Sequence, residues 1–400
     1  MNPDRRKVSK LKGEMAMPVD IRKVTTKKAL RTFIHLPERL HAGHPNWVPP
    51  IYMDDRTYFN RRKNPAFGYS DTELLLAYRD DQPLGRIMGI INRRYNAYRN
   101  ERNARFGYLE CPDDQEIAHA LLSAVENWAR KRGMETLVGP MGFSDQDPEG
   151  FLVSGFEHPP TLATYYNFEF VPRLLENEGY DREVDYVVYK IELSRGIPDV
   201  YRKVDQRLAG KKEVGVVEFG RRRDLKPFIL PIFRLMNGCF KDIYGYLPLD
   251  EKEMNDLARR YLPLVDPRFV KIIRSRGEVV AFIIGIPNLA EGIRRAKGRL
   301  FPLGIFKILR AAKKARQLDL LLGGIKEGYR GRGLDVAMGF RMFEEARKAG
   351  FAYVDSHHEL ETNLKVRAEM ERLGGEVYKR FRIFRKPLDP SSRHPSMEGA

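Results

Sequence analysis

Apolar and polar positions alternate along this chain in a pattern that occurs twice, once in each half. In the first half, apolar residues between Ile117 and Trp128 recur every three to four positions, which predicts an amphipathic helix. A second helix is expected to begin near Thr26, whose hydroxyl can cap its first turn. The other elements expected in this half are strands at 20–24, 72–78, 84–91 and 186–193, and a helix with a glycine stop at 174–179.

The second half runs through the same succession. Its expected elements are strands at 214–219, 270–273, 279–286, 320–325 and 377–384, and helices at 224–240 (capped by Asp224), 334–346 and one ending at 370–375. The repetition predicts an internal duplication of a mixed α+β unit. The corresponding domains are 19–195 and 196–388, with a boundary near 194–212, and a disordered tail is expected over 389–400.

Charge narrows the choice of partners. The 400 residues include 71 Lys and Arg against 54 Asp and Glu, a net charge of +17. This excess implies an anionic partner: nucleic acid, acidic lipid headgroups or a phosphorylated cofactor. The two cysteines, Cys111 and Cys239, cannot build a disulfide framework, which favours a reduced, cytoplasmic compartment. The longest apolar run, 279–287, is too short to span a bilayer, so attachment is expected to be peripheral at most.

A glycine–arginine loop joins the strand at 320–325 to the helix that starts at Leu334. It reads Glu327-Gly328-Tyr329-Arg330-Gly331-Arg332-Gly333. Glycines in a strand-to-helix turn let successive backbone N–H groups point into one concavity at the helix N-terminus, where a phosphate or pyrophosphate binds. Arg330 and Arg332 add charge-assisted donors. No Gly-Lys-Ser/Thr follows, so this is not a Walker loop.

The loop resembles motif A of the GNAT superfamily of N-acetyltransferases, and the stretch from Asn363 to Gly374 resembles its motif B. The resemblance implies two tandem GNAT-like domains with mixed central sheets. It also implies acyl-CoA as cosubstrate and direct attack of an amine on the bound thioester. By the same resemblance, the CoA pyrophosphate is bound by the loop and the pantetheine arm lies near motif B; the residues concerned are Arg330, Gly331, Arg332, Gly333, Leu334 and Asn363.

Two positions depart from the superfamily pattern. Asp335 stands where the motif A pattern ends in Gly or Ala. Met370 stands where the superfamily often has a tyrosine that protonates the departing thiolate, which leaves Tyr378 as a candidate acid. In the first half, the position of the loop is occupied by Glu110-Cys111-Pro112-Asp113-Asp114. Proline removes a backbone donor and the carboxylates repel pyrophosphate, so this half is predicted to be a degenerate copy that does not bind CoA.

An attacking amine must lose a proton, so a base is expected near the thioester. The predicted strand 351–361 carries two histidines, of which His357 is the first candidate base and His358 the second. Asp319 is the third candidate. Strand alternation would place His357 on one face with Asp355, and His358 on the other. The alternative is that both histidines are polar residues at a strand end. No ligand spacing suggests a metal site.

The acceptor has two candidate determinants. The polar loop 139–150 and the aromatic stretch after it are predicted to contribute Ser144, Asp145 and Tyr166 to an acceptor pocket, or else to form a packing loop. A basic insert over 289–318 carries nine Lys and Arg against the single acid Glu291. Its second half is amphipathic, which predicts either a helix that rests on an anionic membrane or one whose apolar face packs on the domain core.

The arrangement as a whole resembles the bacterial ceramide synthase-like group of GNAT proteins. That resemblance implies N-acylation of a primary amine, a membrane-proximal amphiphile such as a sphingoid-type amino alcohol, at the inner membrane surface. Two other functions stay open: an aminoacyl transferase of the peptidoglycan-bridge type, and a non-catalytic acyl-CoA sensor. Nucleic acid is an unlikely partner, because no RNA-binding module is recognisable.

Overall fold

The computed structural model describes residues 18–161, 164–211 and 213–389. The strands in these residues are β1 (Asp20–Lys23), β2 (Ser70–Arg79), β3 (Gln82–Asn92), β4 (Asn103–Glu110), β5 (Thr136–Gly139), β6 (Phe151–Ser154), β7 (Asp181–Glu192), β8 (Val214–Val217), β9 (Val270–Ser275), β10 (Glu278–Pro287), β11 (Gln317–Ile325), β12 (Tyr353–Asp355), β13 (Glu359–Leu360) and β14 (Glu376–Pro387).

The helices in the same residues are α1 (Lys27–Leu40), α2 (Tyr52–Tyr58), α3 (Ala66–Tyr69), α4 (Arg93–Arg99), α5 (Gln115–Arg130), α6 (Val171–Asn177), α7 (Asp199–Ala209), α8 (Ile229–Phe240), α9 (Glu251–Tyr261), α10 (Ala290–Ala296), α11 (Gly304–Ala312), α12 (Leu334–Lys348) and α13 (Leu364–Arg372). The tail predicted over 389–400 lies, except for Asp389, outside the described residues.

Two helix caps were predicted from the sequence, and the structure confirms one of them. The Thr26 hydroxyl accepts a hydrogen bond from the Ala29 backbone N–H at 3.1 Å and begins α1, as predicted. The cap predicted at Asp224 is wrong, because a 3₁₀ turn over Arg222–Phe228 comes first and α8 begins only at Ile229. That turn contains Pro227, which disfavours an α-helical conformation in the residue before it.

All the described strands belong to one sheet with mixed pairing. Its main order is β1-β2-β3-β4-β5-β14-β7-β12-β11-β10-β9-β8, while β6 pairs with β14 and β13 pairs with β7. The order is the same when read inward from either end: three antiparallel pairings are followed by one parallel pairing, β4 with β5 and β11 with β12. The predicted α+β class and the mixed sheet are confirmed, and the strand order shows the duplication.

The two central strands cross between the halves. β7 closes the first half of the sequence but pairs with β12 of the second, and β14 closes the chain but pairs with β5 of the first. β7 and β14 also pair with each other, so the sheet is continuous. The domain division after residue 195 stays a prediction, and strand pairing crosses it in both directions.

One long helix covers the sheet in each half. In the first half, α5 buries Leu121, Val125 and the rest of its predicted apolar face in a core with the strands. In the second half, α12 buries Met342 and Phe343 against Leu318 of β11. Each of these helices follows one strand of the parallel pair, so each strand-to-helix loop lies at the end of a strand that has already separated from its parallel partner.

Candidate active site

Strands β11 and β12 pair over only three residues before they separate. Gln317–Asp319 is in register with Tyr353–Asp355, and β12 ends there. The remaining residues of β11, 320–325, continue toward the glycine loop and pair only with β10. A register shift opposite Ile284 and Gly285 leaves Leu321 as an extra residue in β11. Among the described residues, this edge of β11 therefore has no strand partner along a widening slot.

The glycine loop ends at an uncapped helix. Gly331 and Gly333 have φ values of +71° and +78°, a left-handed conformation that favours glycine. Gly333 is the N-cap residue of α12, and no side chain among the described residues accepts a hydrogen bond from the first-turn N–H groups. The end of the loop is anchored by Leu334, whose side chain is buried in the core. These N–H groups and the helix dipole together make the loop a candidate anion site.

The two loop arginines have protein contacts in this conformation. The Arg330 Nε donates to the Ile325 carbonyl at 3.2 Å, and the Arg332 guanidinium lies over the Tyr329 ring at 5.1 Å. Both side chains are exposed, so their charged groups remain at the mouth of the anion site. A Cβ at residue 331 would meet no other atom, whereas one at residue 333 would lie 2.8 Å from Val204.

A buried ion pair lies where β11 and β12 separate. Asp319 and Asp355 are opposite each other in the last position of the ladder, and both are fully buried. Lys379 of β14 donates to Asp355 Oδ2 at 2.9 Å. Gln317 and Asn288 donate to the two oxygens of Asp319 at 2.7 and 3.1 Å. Burial and the neighbouring Asp355 carboxylate raise the pKa of Asp319 well above its usual value.

The first candidate base, His357, has a different backbone conformation from the one expected for a strand residue. The predicted strand 351–361 is interrupted, because His357 has a φ of +61° and separates β12 from β13; the predicted alternation of faces is therefore wrong. The His357 backbone N–H donates to Asp355 Oδ1 at 2.7 Å, and its Nδ1 accepts from the His358 backbone N–H at 2.8 Å. That hydrogen bond assigns the proton of the neutral ring to Nε2 and occupies its basic nitrogen.

The second histidine is enclosed by aromatic rings. His358 lies against Phe381, with ring centroids 4.3 Å apart, and stacks on Tyr186 at 5.1 Å. Burial lowers the pKa of His358 well below its usual value, so the ring is neutral. Its Nε2 has no hydrogen-bond partner among the described residues.

The remaining predicted site residues lie at different points around the slot. The Tyr378 hydroxyl donates to Asp355, and burial together with that carboxylate raises the pKa of Tyr378 well above its usual value. Asn363 caps α13 by accepting from the Val366 backbone N–H at 3.4 Å and is exposed. The structure thus brings Tyr378 and His357 together around Asp355, and gives Asn363 a capping contact instead.

The loop predicted to form an acceptor pocket contains Asp145, which is partly buried, and Glu149, which is buried. Burial raises the pKa of Asp145 to about 7 and that of Glu149 to about 8. The Tyr186 hydroxyl donates to Glu149 Oε1 at 2.7 Å, which connects this loop to the ring stacked on His358. Of the other predicted residues, the Ser144 hydroxyl accepts from the Gln146 backbone N–H, and the Tyr166 hydroxyl donates to a backbone carbonyl.

Sequence reasoning missed Lys379 and Glu149. A signal for Lys379 was present, since Lys379, Phe381 and Ile383 alternate on the buried face of β14. A lysine in an apolar alternation indicates a buried charge with a partner. Glu149 gave no such signal, because it lies in a polar loop that its sequence alone marks as exposed.

The basic insert forms α10 and α11. Ile308 of α11 is buried against Ile293 of α10, so part of the predicted apolar face packs on the protein. Four other apolar side chains of the insert are exposed by 46–74%: Phe301, Leu303, Phe306 and Leu309. No helix in residues 18–161, 164–211 and 213–389 is long and apolar enough to cross a membrane.

Comparison with solved structures identifies the fold. A tandem GNAT protein from the clavulanic acid biosynthesis pathway superposes with a TM-score of 0.55 at 13% identity, over 94% of this chain and 100% of that one. A GCN5-related N-acetyltransferase from Sphaerobacter thermophilus gives 0.52 at 14% identity, over 94% and 98%. No protein-family model matches the chain. The fold and the glycine loop at the separating strands define a tandem GNAT protein.

Sequence comparison then gives the family. The chain is 30% identical to the bacterial ceramide synthase of Caulobacter vibrioides over 376 residues, 91% of this chain and 96% of the relative. It is 25% identical to protein YghO of Escherichia coli over 376 residues, 92% of this chain and 95% of that protein. The chain belongs to the family of the bacterial ceramide synthase, and it is an acyltransferase that transfers to an amine.

Proposed function

We propose that the second half binds acyl-CoA and transfers its acyl group to the amine of a membrane-proximal amphiphile. The observation that carries this proposal is the uncapped N-terminus of α12, with two left-handed glycines, beside an unpaired edge of β11. Backbone N–H groups of 331–334 would hold the CoA pyrophosphate. Peptide-like groups of the pantetheine arm find matching donors and acceptors along the free edge of β11.

The chemistry requires a balanced movement of protons. The amine nitrogen attacks the thioester carbon, the carbon–sulfur bond breaks, and the thiolate leaves with its electron pair. The thiolate must gain a proton and the new amide nitrogen must lose one. Asp319 lies beside the Asp355–Lys379 ion pair, and its pKa is raised, so we assign to it the transfer of a proton to the thiolate and the acceptance of one from the nitrogen. Asp319 thereby takes the place of the tyrosine that Met370 replaces.

A lipid-like acceptor is supported by the surface of the insert. The exposed apolar side chains of 301–309 form what we call the apolar ridge: Phe301, Leu303, Phe306 and Leu309. Lys307 and Arg310 lie on the same helix and are exposed. Exposed apolar side chains flanked by cations favour insertion into the interface of an anionic bilayer, and each cation near the surface contributes about 1 kcal/mol.

The relative's name supports the class of acceptor. A ceramide synthase, as the Caulobacter vibrioides relative is named, acylates the amine of a sphingoid base. We propose the same class here: a long-chain amino alcohol, acylated at nitrogen with a long-chain acyl group from CoA, where the insert meets the inner membrane surface.

Mass spectrometry of the products tests the function. The full-length chain is incubated with long-chain acyl-CoA, vesicles and a panel of primary amines that includes sphingoid bases, soluble amines and aminoacylated acceptors. The expected product is the N-acyl amino alcohol with one free CoA released for each amide. The proposal fails if a soluble amine outcompetes every amphiphilic amine, or if CoA is bound but never released.

Vesicle binding tests the membrane surface. Leu303→Ser/Phe306→Ser is expected to lower co-sedimentation with phosphatidylglycerol vesicles by about tenfold, because two exposed apolar groups no longer insert. The matched control is Val200→Ser/Leu364→Ser, since those two apolar side chains are also exposed, by 58% and 70%, but lie outside the insert. An equal loss of vesicle binding in both variants would show that the insert does not contact the membrane.

A further inference from the structure

A cationic pocket of about 350 Å³ lies between the insert and the beginning of β11. Five of its lining side chains are basic and one is acidic: Arg295, Lys307, Arg310, Lys314, Arg316 and Glu291. The pocket falls in the size range of small-molecule sites. Its excess of positive charge indicates an anionic ligand.

Most of the positive charges of this pocket have no ion-pair partner among the residues that the structure describes. The single acid, Glu291, already forms ion pairs with Arg294 and Arg295. Arg310, Lys314 and Arg316 make no side-chain hydrogen bond or ion pair within the part of the chain that the structure describes. Like charges that converge without a counter-charge repel one another, and a bound anion would offset that repulsion.

The pocket is separated from the buried carboxyl pair by one layer of hydrogen-bonded side chains. The Tyr353 hydroxyl donates to Gln317 Oε1 at 2.7 Å, and Gln317 Nε2 donates to Asp319 Oδ1 at 2.7 Å. Tyr353 and Gln317 both line the pocket. A ligand in the pocket would therefore lie next to the group to which we assign proton transfer.

The pocket is distinct from the anion site at the glycine loop. Gln317 and Ile325 are the two ends of β11. A nine-residue strand is about 26 Å long, so the two sites lie at opposite ends of the slot. The pyrophosphate bound at the loop cannot also occupy the cationic pocket.

We infer that the cationic pocket binds the phosphate group of a second, phosphate-bearing ligand. That phosphate belongs either to the amine acceptor itself, as a phosphate ester, or to the headgroup of a membrane phospholipid beside the acceptor. Arginine and lysine are the side chains that bind phosphate oxygens most strongly, through charge-assisted hydrogen bonds. The phosphate site itself does not depend on the proposed function. Only the identity of the rest of the ligand, an amine or a membrane lipid, rests on that function.

Calorimetric titration with inorganic phosphate tests the site directly. The full-length chain is first titrated with CoA and then, saturated with CoA, with inorganic phosphate at low ionic strength. Because the two isotherms are separate, loss of CoA binding and loss of phosphate binding can be told apart. Arg310→Gln/Lys314→Gln is expected to weaken phosphate binding by about tenfold or more, because two charge-assisted donors are removed.

The matched control is Lys297→Gln/Lys313→Gln, which removes the same charge from exposed insert residues that do not line the pocket. Its phosphate affinity should stay within about twofold of wild type. The inference is overturned if the wild-type chain shows no phosphate binding beyond the CoA site. It is also overturned if both variants lose affinity equally, since the effect is then one of net charge.

Two further measurements identify the source of the phosphate. If it belongs to the acceptor, Arg310→Gln/Lys314→Gln should raise KM for a long-chain amine phosphate about tenfold more than KM for the unphosphorylated amine. If it belongs to a lipid, the variant should lose binding to phosphatidylglycerol vesicles relative to the control variant. A variant that matches its control in both measurements contradicts the inference.

Discussion

The two halves of the molecule have the same strand order and differ most where their parallel strands separate. In the first half, the last paired position of β4 and β5 is Arg105 opposite Val138. In the second half, the last paired position of β11 and β12 is Asp319 opposite Asp355. One half thus has a cation at this point, and the other has a buried carboxyl pair.

The first half fills its own slot. Beyond Arg105, the Met141 backbone N–H donates to the Phe106 carbonyl at 2.8 Å, and the Tyr108 N–H donates to the Tyr165 hydroxyl at 3.3 Å. Arg105 fixes this loop further by donating to the Phe143 carbonyl at 3.0 Å. In the second half, the corresponding edge of β11 has no strand partner in the described residues.

The helices that follow differ in the same sense. Asp114 caps α5 and accepts hydrogen bonds from the Glu116 and Ile117 backbone N–H groups at 3.0 and 3.2 Å. A carboxylate of the chain thus occupies the position that a phosphate would need, whereas Gly333 leaves the equivalent position of α12 open. The same fold therefore has a structural role where its backbone donors are satisfied internally, and it offers a candidate binding site where they are not.

The largest effect is expected from substitutions that remove the free N–H groups of the glycine loop in the second half. Gly331→Pro/Gly333→Pro should weaken acetyl-CoA and long-chain acyl-CoA binding by more than about 100-fold in calorimetry, because proline cannot adopt the positive φ values and removes two N–H donors. Gly277→Pro is the control: Gly277 also has a positive φ, in the turn between β9 and β10. Undiminished CoA binding in the double variant would show that the loop is not the CoA site.

The next effect concerns the carboxyl pair that distinguishes the second half. Asp319→Asn should lower kcat by about 10²–10⁴-fold, because the amide keeps the shape of the carboxyl group but transfers no proton. His357→Ala provides the contrast and is expected to lower kcat less, since the Nδ1 of His357 is already occupied. A large loss of kcat with His357→Ala and none with Asp319→Asn would show that His357, and not Asp319, transfers the proton.

A third test uses pH and the loop that fills the first half. The pKa of Glu149 is raised to about 8 in the folded chain. A raised pKa stabilises the folded state below the unfolded value near 4.5, and this contribution is lost as the pH rises through about 8. Unfolding midpoints of wild type should therefore fall between pH 6 and 9, and those of Glu149→Gln should fall less. Glu176→Gln, on the exposed surface of α6, should retain the wild-type slope.

The smallest effect is expected in the closed half. Asp114→Ala should lower the free energy of unfolding by about 1 kcal/mol, the usual contribution of an N-cap, without changing CoA affinity. Chemical denaturation and calorimetry measure the two quantities. If Asp114→Ala created a second CoA site, the cap alone would account for the difference between the halves, and the filled slot would have no part in it.

Much of the local structure could be predicted from the chain. The duplication, the hairpins, α5, α12 and the glycine loop all follow from periodicity and turn residues close together in sequence. One failure was equally local, because the contacts that decided it lie one and two residues away. His357 leaves the strand to reach Asp355 and His358, and no alternation pattern encodes a positive φ in a histidine.

The sequence by itself determined the order of elements, the family and the position of the glycine loop, because the motifs that indicate them lie close together in the chain. Only the tertiary structure decided that β7 and β14 cross between the halves and that Lys379 neutralises Asp355. It also decided that the first slot is filled and that five cations of the insert line one pocket. The physical reason is that strand pairing and burial join residues far apart in the chain, and their free energy depends on the folded neighbours.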